Sequence, residues 1–302
     1  MRQILPGGTQ PWHAFDESKA GHYSQLLLKR CVEDRNPMLR LMEDKYRSRE
    51  LVKSKEVCNL TELYQWSEDA SIDWNSLPDR CVIKANHWSG DALFIMDNGP
   101  EPLANIPRKF RLFSRRESGY RVIRNWRDQY GRLWPRWRIQ RALKKCLKKE
   151  YPTQLEWGAA NIHPRGVMVE ELLTDNNNLP NDWKVHVFNG KAGFIQYDTG
   201  RMTDHSQSIY TLEGQRIHQT NGLWSEKHTP DEIVSILGQD GIRELIDIAE
   251  RLAEDIDYTR VDLFHADGKW FFGEFTNYHN SCHPQSLEWE ELAGSLWLND
   301  SL

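Results

Sequence analysis

The sequence lacks the features by which several classes of protein are recognised. Its five cysteines are scattered and form no Cys-x-x-Cys pair, so we expect neither a disulfide framework nor a zinc knuckle. No apolar run approaches the roughly 20 residues that cross a bilayer, and the N-terminus has no long apolar segment of a secretory signal. There is no GxxxxGK[ST] phosphate loop, internal repeat or low-complexity segment. We expect a cytoplasmic, globular protein whose 302 residues form one to three lobes.

Charge is distributed unevenly along the chain. The net charge is −5, yet residues 108–150 contain 16 Lys and Arg against three acids, so this stretch carries +13 and the remainder −18. One interpretation is a solvated helical pair balanced by the acidic remainder. The other is a dock for an anionic acceptor, such as a uronic-acid glycan or a carrier-linked sugar, because tryptophans that stack on sugars lie among the arginines. Nucleic acid is the less expected partner.

Hydrophobic periodicity and turn residues predict an α+β class with antiparallel hairpins. Helices are expected at 23–34, 44–53, 61–66, 120–130, 138–149 and 242–256, with a break at Asn36-Pro37. Strands are expected at 81–85, 93–96, 167–169, 182–188, 192–197, 260–264 and 270–275. Turns at Asn189-Gly190 and Asp267-Gly268 join two pairs of these strands into hairpins.

The second hairpin carries two acids and a guanidinium. A two-residue turn at Asp267-Gly268 would place Asp262 and Glu274 on opposite faces, because side chains alternate along a strand. A three-residue loop ending at Gly268 would instead set Arg260 opposite Glu274, with Asp262 as their diagonal neighbour. We expect this second arrangement. Two converging carboxylates repel unless a cation lies between them, which favours Mg²⁺ bound by oxygen ligands. The alternative is an Arg–Glu pair on a solvated surface.

Two other segments are candidates for binding. Asp182, Lys184 and His186 share one face of the predicted strand 182–188, which is either a polar site or an ordinary solvent face. Lys84 ends a buried strand and precedes the polar loop 86–90, which includes Ser89. Such a loop can hold a phosphate through the lysine charge and its backbone N–H groups.

The order of these segments resembles the ATP-grasp superfamily, and more closely its branch similar to teichuronopeptide biosynthesis proteins (TupA-like). The matching segments run from about residue 40 towards the C-terminus: Asp44-Lys45 with Arg47, 77–79, 84–90, 170–173, 182–190, 260–263 and 273–276. The resemblance implies an ATP-grasp fold, with two α+β lobes whose antiparallel sheets clamp a nucleotide, after a short helical N-terminal region. The implied parts are an N-terminal helical region (1–80), a lid subdomain with the basic helical insert 108–150 (81–170) and a core subdomain carrying the Mg-ATP site (171–302).

The resemblance also implies residue roles. Lys45 and Lys84 would contact the nucleotide phosphates, together with the loop residue Ser89. Glu170 and Glu171 would mark the hinge that holds the adenine. The remaining implied roles are Asp182 for the ribose, Lys184 and Arg201 for phosphate or acyl phosphate, Arg260 for charge on the transferring phosphoryl group, and Asp262, Glu274 and Thr276 for Mg²⁺.

The implied activity is ATP-dependent ligation of a small-molecule carboxylate to an amine through an acyl phosphate, with ATP and Mg²⁺ as cofactors. Two alternatives stay open: a phosphotransferase acting on a sugar hydroxyl, and a non-catalytic nucleotide- or glycan-binding protein. The second alternative arises because Trp88 stands where relatives have glycine and because the loop 279–284 departs from the family pattern.

Overall fold

The computed structural model describes residues 4–97, 121–151, 154–200, 204–220 and 225–299. Within these ranges the α-helices are α1 (Tyr23–Glu33), α2 (Pro37–Glu43), α3 (Ser48–Lys55), α4 (Arg136–Leu147), α5 (Trp157–Ala160), α6 (Val234–Leu252) and α7 (Leu287–Leu298). Short 3-10 helices span Glu17–Lys19 and His279–Cys282. The strands are β1 (Leu63–Ser67), β2 (Arg80–Ala85), β3 (Leu93–Met96), β4 (Arg121–Arg124), β5 (Arg127–Asp128), β6 (Val167–Glu171), β7 (Asp182–Phe188), β8 (Lys191–Thr199), β9 (Ser206–Tyr210), β10 (Arg216–Ile217), β11 (Tyr258–Ala266) and β12 (Lys269–Thr276).

The first sheet has the strand order β1-β6-β2-β3-β4-β5 and is antiparallel except between β3 and β4. One face packs against α4, where Ile83 and Ile95 of the sheet meet Ile139 and Leu143 of the helix. The other face carries a smaller apolar cluster that includes Val82, Phe94 and Leu172. Both faces are therefore apolar, and the second one is available to line a binding cleft.

The second sheet has the order β10-β9-β8-β7-β11-β12 and is antiparallel throughout. Trp183, Val185 and Val187 alternate along β7 into the largest apolar core, which they share with Ile242 and Leu245 of α6. The opposite face carries polar side chains that are nevertheless buried, because every residue of β7 is buried. The interpretation of residues 182–188 as an ordinary solvent-facing strand is therefore wrong.

The N-terminal helices differ from expectation at their boundaries. Asn36-Pro37 starts a helix and does not only break one: the Asn36 side chain accepts a hydrogen bond from the N–H of Met38 (3.0 Å), and Pro37 occupies the first turn of α2. The helix expected at 44–53 begins only at Ser48, since the Asp44 carboxylate accepts from the N–H groups of Tyr46 and Arg47 just before it.

The helices predicted at 61–66 and 120–130 are wrong where the structure describes these residues. Residues 63–67 form β1, whose aromatic side chains suit a pleated surface, and β1 pairs with β6. Residues 121–128 form the β4–β5 hairpin, because Asn125 and Trp126 both adopt positive φ (48° and 60°) and turn the chain back. The basic insert 108–150 is thus helical only in α4 among its described residues, and the first sheet takes one strand from the range 1–80 expected to be helical.

The turn of the β11–β12 hairpin also differs from expectation. Asp267 and Gly268 form a two-residue turn with φ of 49° and 71°, and Ala266 pairs with Lys269. The register then shifts by one residue at Gly273, so that Leu263 faces Phe272 but Asp262 faces Glu274. The expected three-residue loop is wrong, and so is the pairing of Arg260 with Glu274, since Arg260 faces Thr276. A β-bulge restores the shared face that the turn alone would destroy.

Candidate active site

A cleft lined by residues of both sheets encloses about 1050 Å³ of empty space, part of which is open solvent. Its apolar walls come from the first sheet and from the segment that follows it, with Val82, Phe94, Leu172 and Leu179 among the lining residues. Polar side chains of the second sheet, Asp182, Asp262 and Glu274, line the same space. An apolar cleft with a few convergent charged groups is the usual form of a small-molecule site.

The structure brings together most of the residues singled out in the sequence. Those lining the cleft are Lys45, Lys84, Ser89, Glu170, Glu171, Asp182, Asp262 and Glu274. Lys184, Arg260 and Thr276 are not among the lining residues. Lys184 and Arg260 donate hydrogen bonds to Asp262, and Arg260 also donates to Thr276. Arg201 lies outside the described residues.

One row of side chains crosses four strands of the second sheet. Gln196 on β8 pairs with Lys184 on β7, Lys184 with Asp262 on β11, and Asp262 with Glu274 on β12. Directly opposite residues have Cβ atoms about 5 Å apart, so neighbouring members of the row are in reach of one another. The register of the sheet, with its bulge at Gly273, therefore builds the charged part of the cleft.

Asp262 is the centre of a buried ionic network. Arg260 donates to both of its carboxylate oxygens, from Nε (2.6 Å) and from Nη2 (2.8 Å), and Lys184 Nζ donates to Oδ2 (2.6 Å). Burial by itself would raise the pKa of Asp262, but the charges of Arg260 and Lys184 outweigh it and lower the pKa to about 2. Asp262 is thus an anion, and the same pairing raises the pKa of Arg260.

Lys184 lies among three carboxylates. Its Nζ is 3.3 Å from Asp182 Oδ1 and 3.9 Å from Asp198 Oδ2, in addition to its bond with Asp262. Burial opposes the charged form, yet the three acids together raise the pKa of Lys184. The ammonium group is fixed in position and stays charged, and it lies beside residues of the cleft lining.

Glu274 is held more loosely than Asp262. Its Oε2 atom lies 3.3 Å from Nζ of Lys45, and about a third of its side chain is exposed (32%). Burial raises the pKa of Glu274, but Lys45 and Arg260 outweigh this effect and lower it overall. The carboxylate is therefore ionised and can exchange its partner for a ligand in the cleft.

Glu170 anchors the opposite wall of the cleft. It forms ion pairs with Lys84 and with Arg49 (Nη1–Oε2 3.5 Å), and Thr61 Oγ1 donates a hydrogen bond to its Oε2 (3.2 Å). Glu171 is tied elsewhere, since its side chain accepts from the N–H of Glu62 (3.1 Å). Of the two predicted hinge residues, Glu170 is thus the one that fixes Lys84 at the cleft.

The loop 86–90 is attached to the cleft by its first residue. The Asn86 side chain donates to Asp44 Oδ1 (3.0 Å) and accepts from the N–H of Gly166 (2.9 Å), and its carbonyl accepts from the N–H of Lys45 (3.1 Å). Trp88, the bulky departure from the family pattern, lines the cleft and does not fill it.

The donor set of the cleft fits a magnesium ion shared with phosphate oxygens. Among the described residues no group of three or more His, Cys, Asp or Glu could hold a metal ion alone. Asp262 and Glu274 are paired, ionised oxygen donors, and Mg²⁺ in nucleotide sites uses one or two carboxylates with phosphates and water. Asp262 already accepts three hydrogen bonds, so about one lone-pair site remains, whereas Glu274 keeps Oε1. Thr276, expected as a third ligand, accepts from Arg260 Nη2 (3.0 Å) instead.

Several residues of the site were not singled out in the sequence. Arg49 and Thr61 hold Glu170, and only the three-dimensional fold reveals this because they lie more than a hundred residues away from it. Gln196 and Asp198 alternate with Ile195 and Tyr197 along β8, and that alternation was a usable signal. The register shift at Gly193, after the Asn189-Gly190 turn, places them on the face of Lys184.

The model of a family described as TupA-like ATP-grasp matches residues 24–296. The chain belongs to the TupA-like ATP-grasp family. The resemblance stated from the sequence is therefore confirmed, and so is the α+β fold of ATP-grasp type with its two antiparallel-rich sheets.

Similar solved structures belong to ATP-grasp ligases. D-alanine–D-alanine ligase from Bacillus anthracis is 12% identical and covers 85% of this chain and 64% of its own, with a TM-score of 0.40. The ATP-grasp ligase PsnB with a minimal precursor is 12% identical and covers 91% of this chain and 65% of its own, with a TM-score of 0.37. The VanG D-Ala:D-Ser ligase from Enterococcus faecalis is 11% identical and covers 85% of this chain and 61% of its own, with a TM-score of 0.41. The chain thus spans less than two thirds of the length of these ligases. A search of curated proteins found no match.

Proposed function

We propose that this TupA-like ATP-grasp protein is an ATP-dependent ligase that joins a carboxylate to an amine through an acyl phosphate. The observation that carries the proposal is the charged row of the second sheet in a chain of this family, in which Asp262 and Glu274 line the cleft and Lys184 pairs with Asp262. Phosphoryl transfer depends mostly on positioning and on neutralising charge, and this row provides fixed charges of both signs.

The first step would transfer the γ-phosphoryl group of ATP to a substrate carboxylate oxygen, giving ADP and an acyl phosphate. Lys45 and Lys84 line the cleft from two sides, where they would hold nucleotide phosphates. The fixed cations Arg260 and Lys184 would stabilise negative charge that develops on the transferring group. Mg²⁺ bound at Asp262 and Glu274 would supply further charge neutralisation on phosphate oxygens.

The second step would form the carbon–nitrogen bond. The amine would attack the acyl carbonyl carbon, inorganic phosphate would leave with the electrons of the C–O bond, and the nitrogen would lose a proton. The predicted roles of Glu170, Glu171 and Asp182 in holding adenine and ribose are part of this proposal, as are Ser89 for phosphate and Arg201 for the acyl phosphate. Glu170, Glu171, Asp182 and Ser89 line the cleft, and Arg201 lies outside the described residues.

The proposed substrate class follows from the family resemblance and from the basic segment 108–150. We propose a cytoplasmic ligase that uses an amino acid or another amine and a carboxylate of a uronic-acid, polysaccharide or natural-product precursor. An anionic glycan or carrier-linked acceptor at residues 108–150 would belong to the same proposal. The division into the parts 1–80, 81–170 and 171–302 also remains a prediction.

The test is product analysis with the purified full-length chain, ATP, Mg²⁺ and mixtures of amino acids and uronic acids. We expect ADP, inorganic phosphate and an amide detected by mass spectrometry. ADP with a stable phosphorylated sugar would show a phosphotransferase, and nucleotide binding without turnover under every mixture would show a binding protein. Both outcomes contradict the ligase proposal.

A matched pair of variants locates the chemistry. Glu274→Gln should lower Mg²⁺-dependent ATP turnover by on the order of 10² or more while the fold survives, because a carboxylate facing the phosphates is lost. Glu291→Gln makes the same change at an exposed position of α7 and should leave turnover unchanged. A folded and fully active Glu274→Gln variant would refute the assignment.

A further inference from the structure

The outer face of α4 carries a row of cations that the cleft does not use. Trp137, Arg141, Lys144 and Lys148 follow one another at spacings of four, three and four residues, so they lie on one side of the helix. All four are exposed. The buried residues Ile139, Leu143 and Cys146 occupy the opposite side and pack into the protein. We call Trp137, Arg141, Lys144 and Lys148 the α4 stripe.

The cations of the α4 stripe form no ion pair with a carboxylate in the described part of the chain, although Lys144 lies within electrostatic range of Asp69. Arg121 and Lys149 nearby pair with Asp128 and Asp91. Among described residues no carboxylate oxygen lies within 4.0 Å of the charged nitrogens of Arg141, Lys144 or Lys148. Cations exposed on one side of a helix without ion-pair partners complement an anionic surface.

The N-terminal end of the α4 stripe is apolar. Trp137 is 66% exposed, and Leu133, just before the helix, is 54% exposed. Arg138 donates to the carbonyl oxygen of Leu133 (2.6 Å), which ties the segment before α4 to the first turn of the helix. A tryptophan could stack on a sugar, but an exposed leucine gains only from apolar contact. Exposed tryptophan and leucine side chains beside a row of cations are the combination found at the membrane interface.

The C-terminal end of α4 reaches the active-site cleft. Cys146 lines the cleft, and Lys149 Nζ lies 4.7 Å from the ring centroid of Trp88, which also lines it. Among the described residues no helix is long and apolar enough to cross a membrane. Contact with lipid through α4 would therefore be peripheral, and it would hold the rim of the cleft near the lipid surface.

We propose that the α4 stripe, together with Leu133, docks the protein on a membrane surface rich in anionic phospholipid. The basic residues Arg141, Lys144 and Lys148 lie against lipid headgroups, and Trp137 and Leu133 enter the boundary between headgroups and acyl chains. The surface does not depend on the ligase activity, because none of its residues belongs to the charged row of the second sheet.

The experiment is co-sedimentation of the full-length chain with vesicles of phosphatidylcholine alone or of phosphatidylcholine with one third phosphatidylglycerol. We expect binding only to the anionic vesicles, and less of it at about 0.5 M salt than at about 0.05 M. Because each cation near an anionic leaflet strengthens binding by about fivefold, Arg141→Glu with Lys144→Glu and Lys148→Glu should weaken it at least about 100-fold. Absence of binding to anionic vesicles at low salt would overturn the proposal.

Matched variants separate this surface from general charge. Lys29→Glu with Lys227→Glu and Lys269→Glu makes the same charge change at exposed positions elsewhere, and it should retain most of the binding. Equal loss in both triple variants would contradict a defined surface.

The apolar end has its own pair of variants. Leu133→Gln with Trp137→Gln should weaken binding to anionic vesicles, whereas Leu298→Gln, at another exposed leucine, should not. If a soluble acidic polysaccharide competed fully with the vesicles and Leu133→Gln with Trp137→Gln bound as the wild type does, the surface would be a polyanion site and the membrane proposal would be wrong. Because the two glutamine substitutions lie at exposed positions, this arm stays informative even if the glutamate variant fails to fold.

Discussion

Replacing Asp262 with asparagine should test whether the buried ionic network holds the second sheet together. The exposed side-chain fractions of Asp262, Lys184 and Arg260 are 3%, 6% and 11%, so these charges are compensated by neighbouring protein groups and hardly by water. Asparagine keeps the shape of aspartate but presents an NH₂ group at one of the two oxygen positions. Since Arg260 donates to both positions, either orientation of the amide sets a donor against a donor.

The size of the effect follows from the partners that remain. Lys184 keeps Asp182 at 3.3 Å, but Arg260 would exchange two bonds to a carboxylate for one to a neutral amide oxygen, in addition to its bond with Thr276. Removing one partner of a buried ion pair costs about 3–5 kcal/mol of the free energy of unfolding, because an uncompensated charge stays buried. With an unfolding entropy of about 2.1 cal/mol/K per residue, a chain of 302 residues should melt about 5–8 °C lower.

The assay is urea unfolding followed by circular dichroism, with Glu274→Gln as the control. Glu274 faces Asp262 across the hairpin, but its pair with Lys45 is partly exposed, so that variant should lose at most about 1 kcal/mol. Arg260→Met combined with Asp262→Asn should lose less stability than the two single changes together, because the uncompensated charge is then removed. A loss below about 1 kcal/mol for Asp262→Asn, or the same loss as for Glu274→Gln, would refute the reasoning.

Other residues give further predictions. Burial raises the pKa of Glu43 to about 7 and that of Glu156 to about 8 from a usual 4.5, so both groups bind more protons in the folded state than in the unfolded chain at intermediate pH. Their contribution to stability should fall as the pH rises to about 8, and below about pH 6.5 it is opposed by His87 and His186, whose pKa burial lowers. Glu156→Gln should therefore flatten the fall in stability between about pH 6.5 and about pH 8 in denaturation experiments, and an unchanged slope would be the contrary result. Gly273→Ala would set a Cβ atom 3.0 Å from the Asp262 carbonyl oxygen at the bulge, so kcat/KM for ATP should fall about tenfold or more; wild-type kinetics would show that the bulge does not control the site. Lys84→Met should weaken ADP binding in calorimetry by about tenfold or more, since the cleft loses a cation proposed to contact the phosphates, and an unchanged Kd would exclude Lys84 from the phosphate site.

Local patterns predicted strands of both sheets where a hydrophobic run ends at turn residues. The strands expected at 93–96 and 182–188 have the predicted ends, because hydrophobic runs bounded by turn residues define them. The β4–β5 hairpin was not predictable in this way. Its turn places Trp126 at positive φ, a conformation that bulky residues rarely adopt and that the sequence does not announce. Charged residues at helical spacing then favoured the wrong element.

The position of the two acids shows why a correct site can follow from a wrong local argument. The requirement that Asp262 and Glu274 share a face was right, and one extra residue somewhere in the hairpin was needed to satisfy it. The extra residue was assigned to the turn because Gly268 tolerates positive φ, but Asp267 adopts positive φ as well and the turn closes with two residues. Gly273, directly before Glu274, is the extra residue.

The β7–β8 hairpin uses the same device, and this repetition makes the bulge a property of the site. Its two-residue turn at Asn189 and Gly190 is followed by a register shift at Gly193, so that Val187 pairs with Ala192 but His186 with Phe194. Without that shift Gln196 would not pair with Lys184, just as Glu274 would not pair with Asp262 without Gly273. A lone glycine inside a strand was therefore the signal, because it marks where a strand can gain a residue and turn its side chains to the other face.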